Sequence, residues 1–579
     1  EHWPGVLAEI EAIDPAARRN LLLDAQGRAW KANPPDFPVI AAGSTGSIPA
    51  TADLLGVIAT LPRGRVVLPG LDPMLPEAAW QALKPSHPQY GMGRLLDHLR
   101  IQPADVRPWP ATGFAQAPSP RGALINAALR PAGHVLHTLK KTPGFEQPGI
   151  SSKGGPNNRP PGFEVLVGLE RLDCAEPGQE ATAIALIMRQ TLETPAQTCA
   201  LVTPDRGLAR RVAAELGRWK IKVDDSAGVP MAQTPPGAFL RLTARAAAGG
   251  FAPVGLLAAL KHPLAMGGMA AGTFRGRVRA FEAAALRGPR PGPGLAGLKA
   301  ALAPAERRAF ADLLGCLEKA AGPFEALMRQ KSAPFCELLA AHVQMAESLA
   351  ASDDEAASER LWSGDAGGDA AAFIYELNEG AKILKDIEGR LYPALLDALM
   401  AGRVVRPRYG RHPRLFIWGL LEARLQQADT LILGGLNEDT WPPEAKANPW
   451  MSRPMLAAFG LPQPERRTGL TAHDFAQAFA ADKVVISRST RAGGAPTVPS
   501  RWLRRLEIYL KGTLKDSGLD GALRPGTGSL WPAWALALDK PEKTAPLPAP
   551  APRPPASARP RKLSVTRIET WIRDPYALY

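Results

Sequence analysis

The chain has 579 residues, 45% of them hydrophobic, enough to bury several cores, so three or four domains are expected. Its 69 Lys and Arg against 55 Asp and Glu leave a net charge of +14 and a pI near 9.7, which makes a polyanion the natural partner. The four cysteines, Cys174, Cys199, Cys316 and Cys336, form no C-x-x-C pair, which argues against a disulfide framework or zinc site and fits a reduced, cytoplasmic protein. The longest apolar runs, such as FAPVGLLAAL before Lys261, stop short of a membrane span. The opening EHWPGVLAEI has no methionine, basic n-region or apolar core, so no signal peptide is expected, and the chain is expected to begin inside a longer protein.

In chain order, VIAA, ADLLGVIATL and GRVVLPGLD between Val39 and Ile101 alternate as strand, helix and strand of a parallel sheet. The Pro/Gly/Ser-rich stretch from Pro103 to Pro161, centred on KKTPGFEQPGISSKGGPNNRPPG, reads as a loop or insertion. A second α/β region follows, with helix ATAIALIMRQTLE, strand CALVTPD, helix RGLARRVAAELGRW and strand IKVDD. Leu208, Val212 and Leu216 recur every four positions, as one buried helix face requires. From about Phe239 to Ala401 the sequence is Ala- and Leu-rich, and Phe310, Leu313, Leu314 and Leu317 share a helix face. The α/β pattern resumes at Leu415. The apolar run Thr430 to Leu433 reads as a buried strand whose C-terminal end opens onto GGLNEDTWPP, where open α/β sheets place ligands. Strand KVVISRS and helix SRWLRRLEIYLKG follow, then a Pro/Ala linker after Gly512 and an ordered segment, LSVTRIETWIRDPYALY.

The turn AAGSTGSIPAT, Ala41 to Thr51, has the glycines of a phosphate loop but not the lysine of G-x-x-x-x-G-K-[ST], a motif found nowhere in the chain. Laid on the superfamily-1 DNA helicase pattern, which it resembles, this strand ends in Ala42 and Gly43 where the family has an acid pair. Neither residue can hold magnesium or activate water. CALVTPDRGLARRVAAEL is similar to the fourth helicase motif, with Thr203 and Pro204 in place of tyrosine and arginine. ADTLILGGLNEDTWPP keeps the strand half of the fifth motif, while GLLEARLQQAD before it lacks the expected His and Lys. Ser487-Arg488 matches the Thr-Arg of the sixth motif, with Glu465-Arg466-Arg467 upstream.

Together with SHPQYGMGRLLDHL, VDDSAGVPM, HDFAQAF, PTVPSRWLRRL and SVTRIETWIRDPYALY, these segments resemble the AddB subunits of AddAB helicase-nucleases. The resemblance implies an α/β fold: two helicase-like (RecA-like, superfamily-1) parallel-sheet domains, a large α-helical insertion, and a Pro-rich linker to the start of a RecB-like nuclease domain. The implied boundaries are 1–102 for the rest of the first helicase-like domain and 103–176 for a connecting region with some helix. The second helicase-like domain takes 177–238 and 413–512 around the helical insertion 239–412, followed by the linker 513–562 and the nuclease start 563–579. The implied role is resection of DNA double-strand breaks for recombinational repair, in the cytoplasm. The partners would be an AddA subunit and single- and double-stranded DNA ends, with no membrane. AddA would use the ATP, and a Mg²⁺-dependent exonuclease would have its catalytic residues beyond Tyr579, so no catalytic residue is expected here. Some AddB proteins carry an iron-sulfur cluster whose first cysteine falls at Asp574, before Pro575-Tyr576. That cluster is therefore not expected.

Candidate DNA contacts are Arg488 and Arg491 around a Gly-Gly turn, and Arg501, Arg504 and Arg505 opposite the apolar face Trp502, Leu503, Leu506, Tyr509 and Leu510. Each could equally pair with acidic side chains. Trp441 reads either as a stacking platform or as a packing anchor. His87 and His473 lack the clustered carboxylates or cysteines of a metal site. Two other readings stand beside the DNA-handling one: an active helicase whose Walker lysine precedes this chain, and a Rossmann-like small-molecule enzyme with a convergent polar pocket.

Overall fold

The computed structural model describes residues 2–9, 11–109, 119–131, 166–384, 386–406, 411–444, 448–514, 530–549, 551, 553, 555–574 and 577. The chain forms two compact units, Glu1–Pro532 and Ala533–Tyr579. The predicted loop centred on Lys140 to Phe163 lies outside the described residues, as do Pro575 and Tyr576.

Past a short helix at Trp3–Glu9, the larger unit runs through helix α1 (Pro15–Ala32), β1 (Val39–Ala42), α2 (Pro49–Thr60), β2 (Gly64–Val67) and α3 (Tyr90–Leu99). β1 and β2 pair in parallel with Val39 opposite Gly64, as a strand-helix-strand crossover requires. Ala52 and Leu55 of α2 and Leu95 of α3 form the small core over them.

The central element is a six-stranded, all-parallel sheet. Its parts in chain order are α4 (Pro120–Leu129), β3 (Leu169–Cys174), α5 (Pro177–Thr191), β4 (Cys199–Val202), α6 (Arg206–Gly217), β5 (Asp224–Asp225), β6 (Leu415–Trp418), β7 (Thr430–Leu433), α7 (Glu465–Phe479), β8 (Val484–Ser489) and α8 (Arg501–Leu514). The strand order is β3-β8-β7-β4-β6-β5. β4 and β7 are buried along their whole length, which is why both read as unbroken apolar runs. Ala200, Val202, Leu431, Leu433, Val484 and Ile486 share a core with α4, α7 and α8. The other face carries α5 and α6, which pack on each other. The protein is therefore an α/β protein with helices on both faces of a parallel sheet.

β3 falls within the stretch that the sequence assigns to the connecting region, yet it is an edge strand paired with β8 over its full length. Its sequence, LERLDC, is half charged, with Glu170 and Arg171 side by side, and looks like a solvent-facing segment. The charges are tolerated because Arg171 and Asp173 pair with each other inside the fold. The predicted strand IKVDD contracts to Asp224–Asp225.

Between β5 and β6, which are hydrogen-bonded neighbours, the chain leaves the sheet for a helical block with a single core running from Met231 to Val405. Entry and exit are tied by an antiparallel pair, Val229–Pro230 with Val404–Val405. Gly228 sits at the neck with φ +64°, and a Cβ there would lie 2.5 Å from the Val405 carbonyl oxygen, so a side chain would force the neck apart. Phe310, Leu313, Leu314 and Leu317 all face this core, as their spacing predicts. The block also buries a polar chain, in which His342 bonds Thr243 through Nε2 and Tyr392 through Nδ1, each at 2.9 Å. Burial pushes the His342 imidazole down to about 4, so it stays neutral at physiological pH.

In the smaller unit, helix Val565–Arg573 is capped by Ser564 and carries Val565, Ile568, Trp571 and Ile572 exposed. No described helix is long and apolar enough to cross a membrane.

Candidate functional site

In the six-stranded sheet β4 leads to α6 on one face, while its neighbour β7 leads to α7 on the other. The crevice between their carboxyl ends is where such sheets bind ligands. Here the chain fills it with its own groups. Glu180 of α5 is fully buried and its Oε1 accepts from the Gly435 amide at 2.9 Å and from the Ser487 hydroxyl at 2.7 Å. Gly435 has φ +76°, the left-handed turn that aims its N–H inward. Thr203 donates to the Gly434 carbonyl at 2.9 Å, and Asp205 caps α6 by accepting from Gly207 and Leu208. An incoming anion would find its donors already taken.

Burial pushes the Glu180 carboxyl up to about 7 against the lowering effect of its two donors. A carboxyl that holds its proton more tightly when folded adds stability at low pH and loses it as pH rises from about 4.5 to about 7, a change of about 3 kcal/mol. Glu180→Gln should flatten that dependence. Urea midpoints measured from pH 5 to 8 check it, and an unchanged slope in the variant would rule Glu180 out as the titrating group.

The sequence-predicted contacts separate into two groups. Arg488 is 5% exposed, with Nη1 3.1 Å from Asp173 Oδ2 and Nε bonded to Asn437 Oδ1 at 3.0 Å. Trp441 is fully buried, edge-on to Phe475 and Trp502, and its Nε1 donates to the Gly434 carbonyl at 2.9 Å. Neither can meet a phosphate or a base: the motif-like arginine is half of a buried ion pair, and the tryptophan is a packing anchor. Arg491 and Arg504 are exposed, Arg491 on a two-residue hairpin arm before Gly493 and Gly494. Arg501 is also exposed but grips Glu438, whose Oε1 accepts from its Nε at 2.8 Å and whose Oε2 accepts from its backbone N–H at 3.0 Å. Arg505 is half-buried and donates to the Arg130 carbonyl.

A second site lies where the first α/β segment meets the large sheet. Ala42 ends β1 and is exposed, and the next residue, Gly43, faces the loop after β6, where a Cβ on it would lie 3.1 Å from Leu425. Arg424 reaches to 3.5 Å from the Gly43 carbonyl and forks onto Asp474 of α7, at 2.7 and 3.3 Å. Gln477, one turn on, donates to the Pro69 carbonyl at 2.7 Å. Below this seam is a cavity of about 860 Å³ lined in part by Trp418, Arg424, Asp429 and Asp474. Burial lowers the His473 imidazole to about 4, helped by Arg424, and burial lowers His87 likewise, helped by Arg505. Both are neutral at physiological pH. Among the described residues no three His, Cys, Asp or Glu side chains converge as a metal site would need.

Sequence reasoning missed Glu180, Asp173, Arg424 and Asp474. A charged residue inside an otherwise apolar helix stretch, as in GQEATAIALI, was the one available signal, and it marks Glu180 alone.

No protein-family model matches the chain. It is similar to an uncharacterized protein, RC0550, of Rickettsia conorii, with 24% identity over 220 residues, 38% of this chain and 24% of that protein. It is also similar to an uncharacterized protein of Rickettsia felis, with 23% identity over 226 residues, 38% of this chain and 25% of the relative. The chain thus matches about a quarter of the length of these relatives.

Proposed function

We propose that this chain is a DNA-handling, helicase-like subunit without ATPase activity of its own, of the AddB type. In this reading it works in the cytoplasm within a two-subunit ATP-dependent helicase-nuclease that resects double-strand breaks. An AddA-type partner consumes the ATP, and the two α/β segments guide one strand toward a Mg²⁺-dependent nuclease domain that begins near residue 563. The observation that carries the proposal is the seam at Ala42 and Gly43. A nucleotide-hydrolysing site there would need carboxylates around a divalent cation, and the position instead faces a guanidinium and a leucine side chain. The exposed Arg491 and Arg504 and the net charge of +14 support a polyanionic ligand. The self-filled crevice at Glu180 weighs against a small-molecule enzyme using that sheet.

The test pairs ATP turnover with single-stranded DNA titrations across a salt series, for the protein alone and with its partner subunit. Salt-sensitive DNA binding without turnover by the lone chain is the expected result. Robust turnover by the lone chain would make it a motor and end the proposal. Within the same titration, Arg491→Ala with Arg504→Ala should weaken binding and make log K against log salt shallower by about 0.7 per lost phosphate contact, with stability held within about 0.5 kcal/mol. An unchanged slope would remove these two arginines from the interface.

A further inference from the structure

We infer a single-stranded DNA subsite between the turn after β1 and the segment that leads into α7, a site that rests on the DNA-handling reading but uses none of the candidate contacts Arg488, Arg491, Arg501, Arg504 and Arg505. A pocket of about 370 Å³ opens there, lined by Ser47, Asn448, Gln463, Arg466 and Arg467 with apolar walls from Leu456 and Leu470. Its volume falls in the range of ligand pockets, which starts at about 300 Å³. No carboxylate lines it, and Arg466 and Arg467 have no acidic partner among the described residues. The Arg466 Nε is out of contact with solvent and has no hydrogen-bond partner among the described residues, a donor left without an acceptor.

Two exposed aromatic residues flank the lining residues along the chain. Trp450 is 87% exposed and Phe459 is 69% exposed, at the two ends of the short helix Arg453–Ala458 that contributes Leu456 to the pocket wall. Asn448 fixes the approach to Trp450 by accepting from its backbone N–H at 2.8 Å, and Arg453 ties the helix to Glu465, the residue before Arg466, at 3.1 Å. Two large exposed aromatic rings, two and three residues along the chain from the pocket-lining Asn448 and Leu456, together with guanidiniums that have no acidic partner among the described residues, have the composition of a single-strand platform, with rings stacking bases and arginines holding phosphates. A protein partner bearing carboxylates could use the same rings and arginines. The overall charge of +14 favours the nucleic acid.

The experiment is fluorescence anisotropy of a fluorescein-labelled thymidine 20-mer with the full chain and two double variants. Trp450→Ala with Phe459→Ala should cost about tenfold or more in affinity at every salt concentration and leave the salt slope unchanged. Arg466→Ala with Arg467→Ala should weaken binding and make the slope shallower by about 0.7 per arginine. Arg467→Ala alone removes only an exposed side chain and guards against misfolding of the double variant. Wild-type affinity and slope in all three variants would overturn this site while leaving the DNA-handling reading standing on other residues. No binding of the 20-mer by the wild type would overturn both.

Discussion

Trp441→Ala is expected to destabilise the large unit by about 3–5 kcal/mol, the cost of emptying a fully buried aromatic site. The ring centroid of Trp441 lies 5.8 Å from that of Phe475 and 6.2 Å from that of Trp502, and these two stack on each other at 5.2 Å. The indole thus closes a three-ring cluster that joins the loop after β7 to α7 and α8. The lost hydrogen bond contributes little, because the Gly434 carbonyl keeps Thr203 as a donor. Trp441→Phe should therefore recover most of the loss, since it restores ring volume without the N–H. Urea unfolding of both variants checks this, and an alanine variant within about 1 kcal/mol of wild type would show that the cluster does not depend on this ring.

Asp173→Ala is expected to cost about as much, about 3–5 kcal/mol, for an electrostatic reason. The carboxylate accepts from Arg171 at 2.8 and 3.0 Å and lies 3.1 Å from Arg488, and all three side chains are at most 8% exposed. Arg171 keeps Glu507 when Asp173 is removed, whereas Arg488 keeps only neutral partners, Asn437 and Thr497. A buried guanidinium without a counterion carries the penalty. The diagnostic measurement is therefore the double variant Asp173→Ala with Arg488→Met, which should be more stable than Asp173→Ala alone. If it is less stable, the stranded charge is not the cause.

The strands with apolar residues on both faces, CALV, TLIL and VVIS, announce themselves in the sequence because a central parallel strand has no wet side to mark with polar residues. The helix faces Leu208, Val212, Leu216 and Trp502, Leu506, Tyr509 are legible for the complementary reason, a clean apolar stripe. β3 is not legible, because its Arg171 and Asp173 are neutralised by residues hundreds of positions away or two positions along an extended strand, and no local pattern records such a pairing. The candidate site is legible only in part for the same reason. Sequence can nominate Arg488, Arg491, Arg501, Arg504 and Arg505 as cations, but their availability depends on Asp173, Glu438 and the Arg130 carbonyl, which only folding brings near. Conversely, Trp450 and Phe459 look like ordinary core residues until the fold leaves them in water.

The hydrogen-bonded neck at Val229–Pro230 and Val404–Val405 means that the sheet experiences the whole helical block as if it were a plain crossover connection between two parallel neighbours. The separation between the ends of the excursion is set by one strand pair and not by what lies beyond it, so the register of β5 against β6 does not depend on the block's length or content. Helices beyond the neck can be added, lost or reshaped over time without shifting a strand of the sheet.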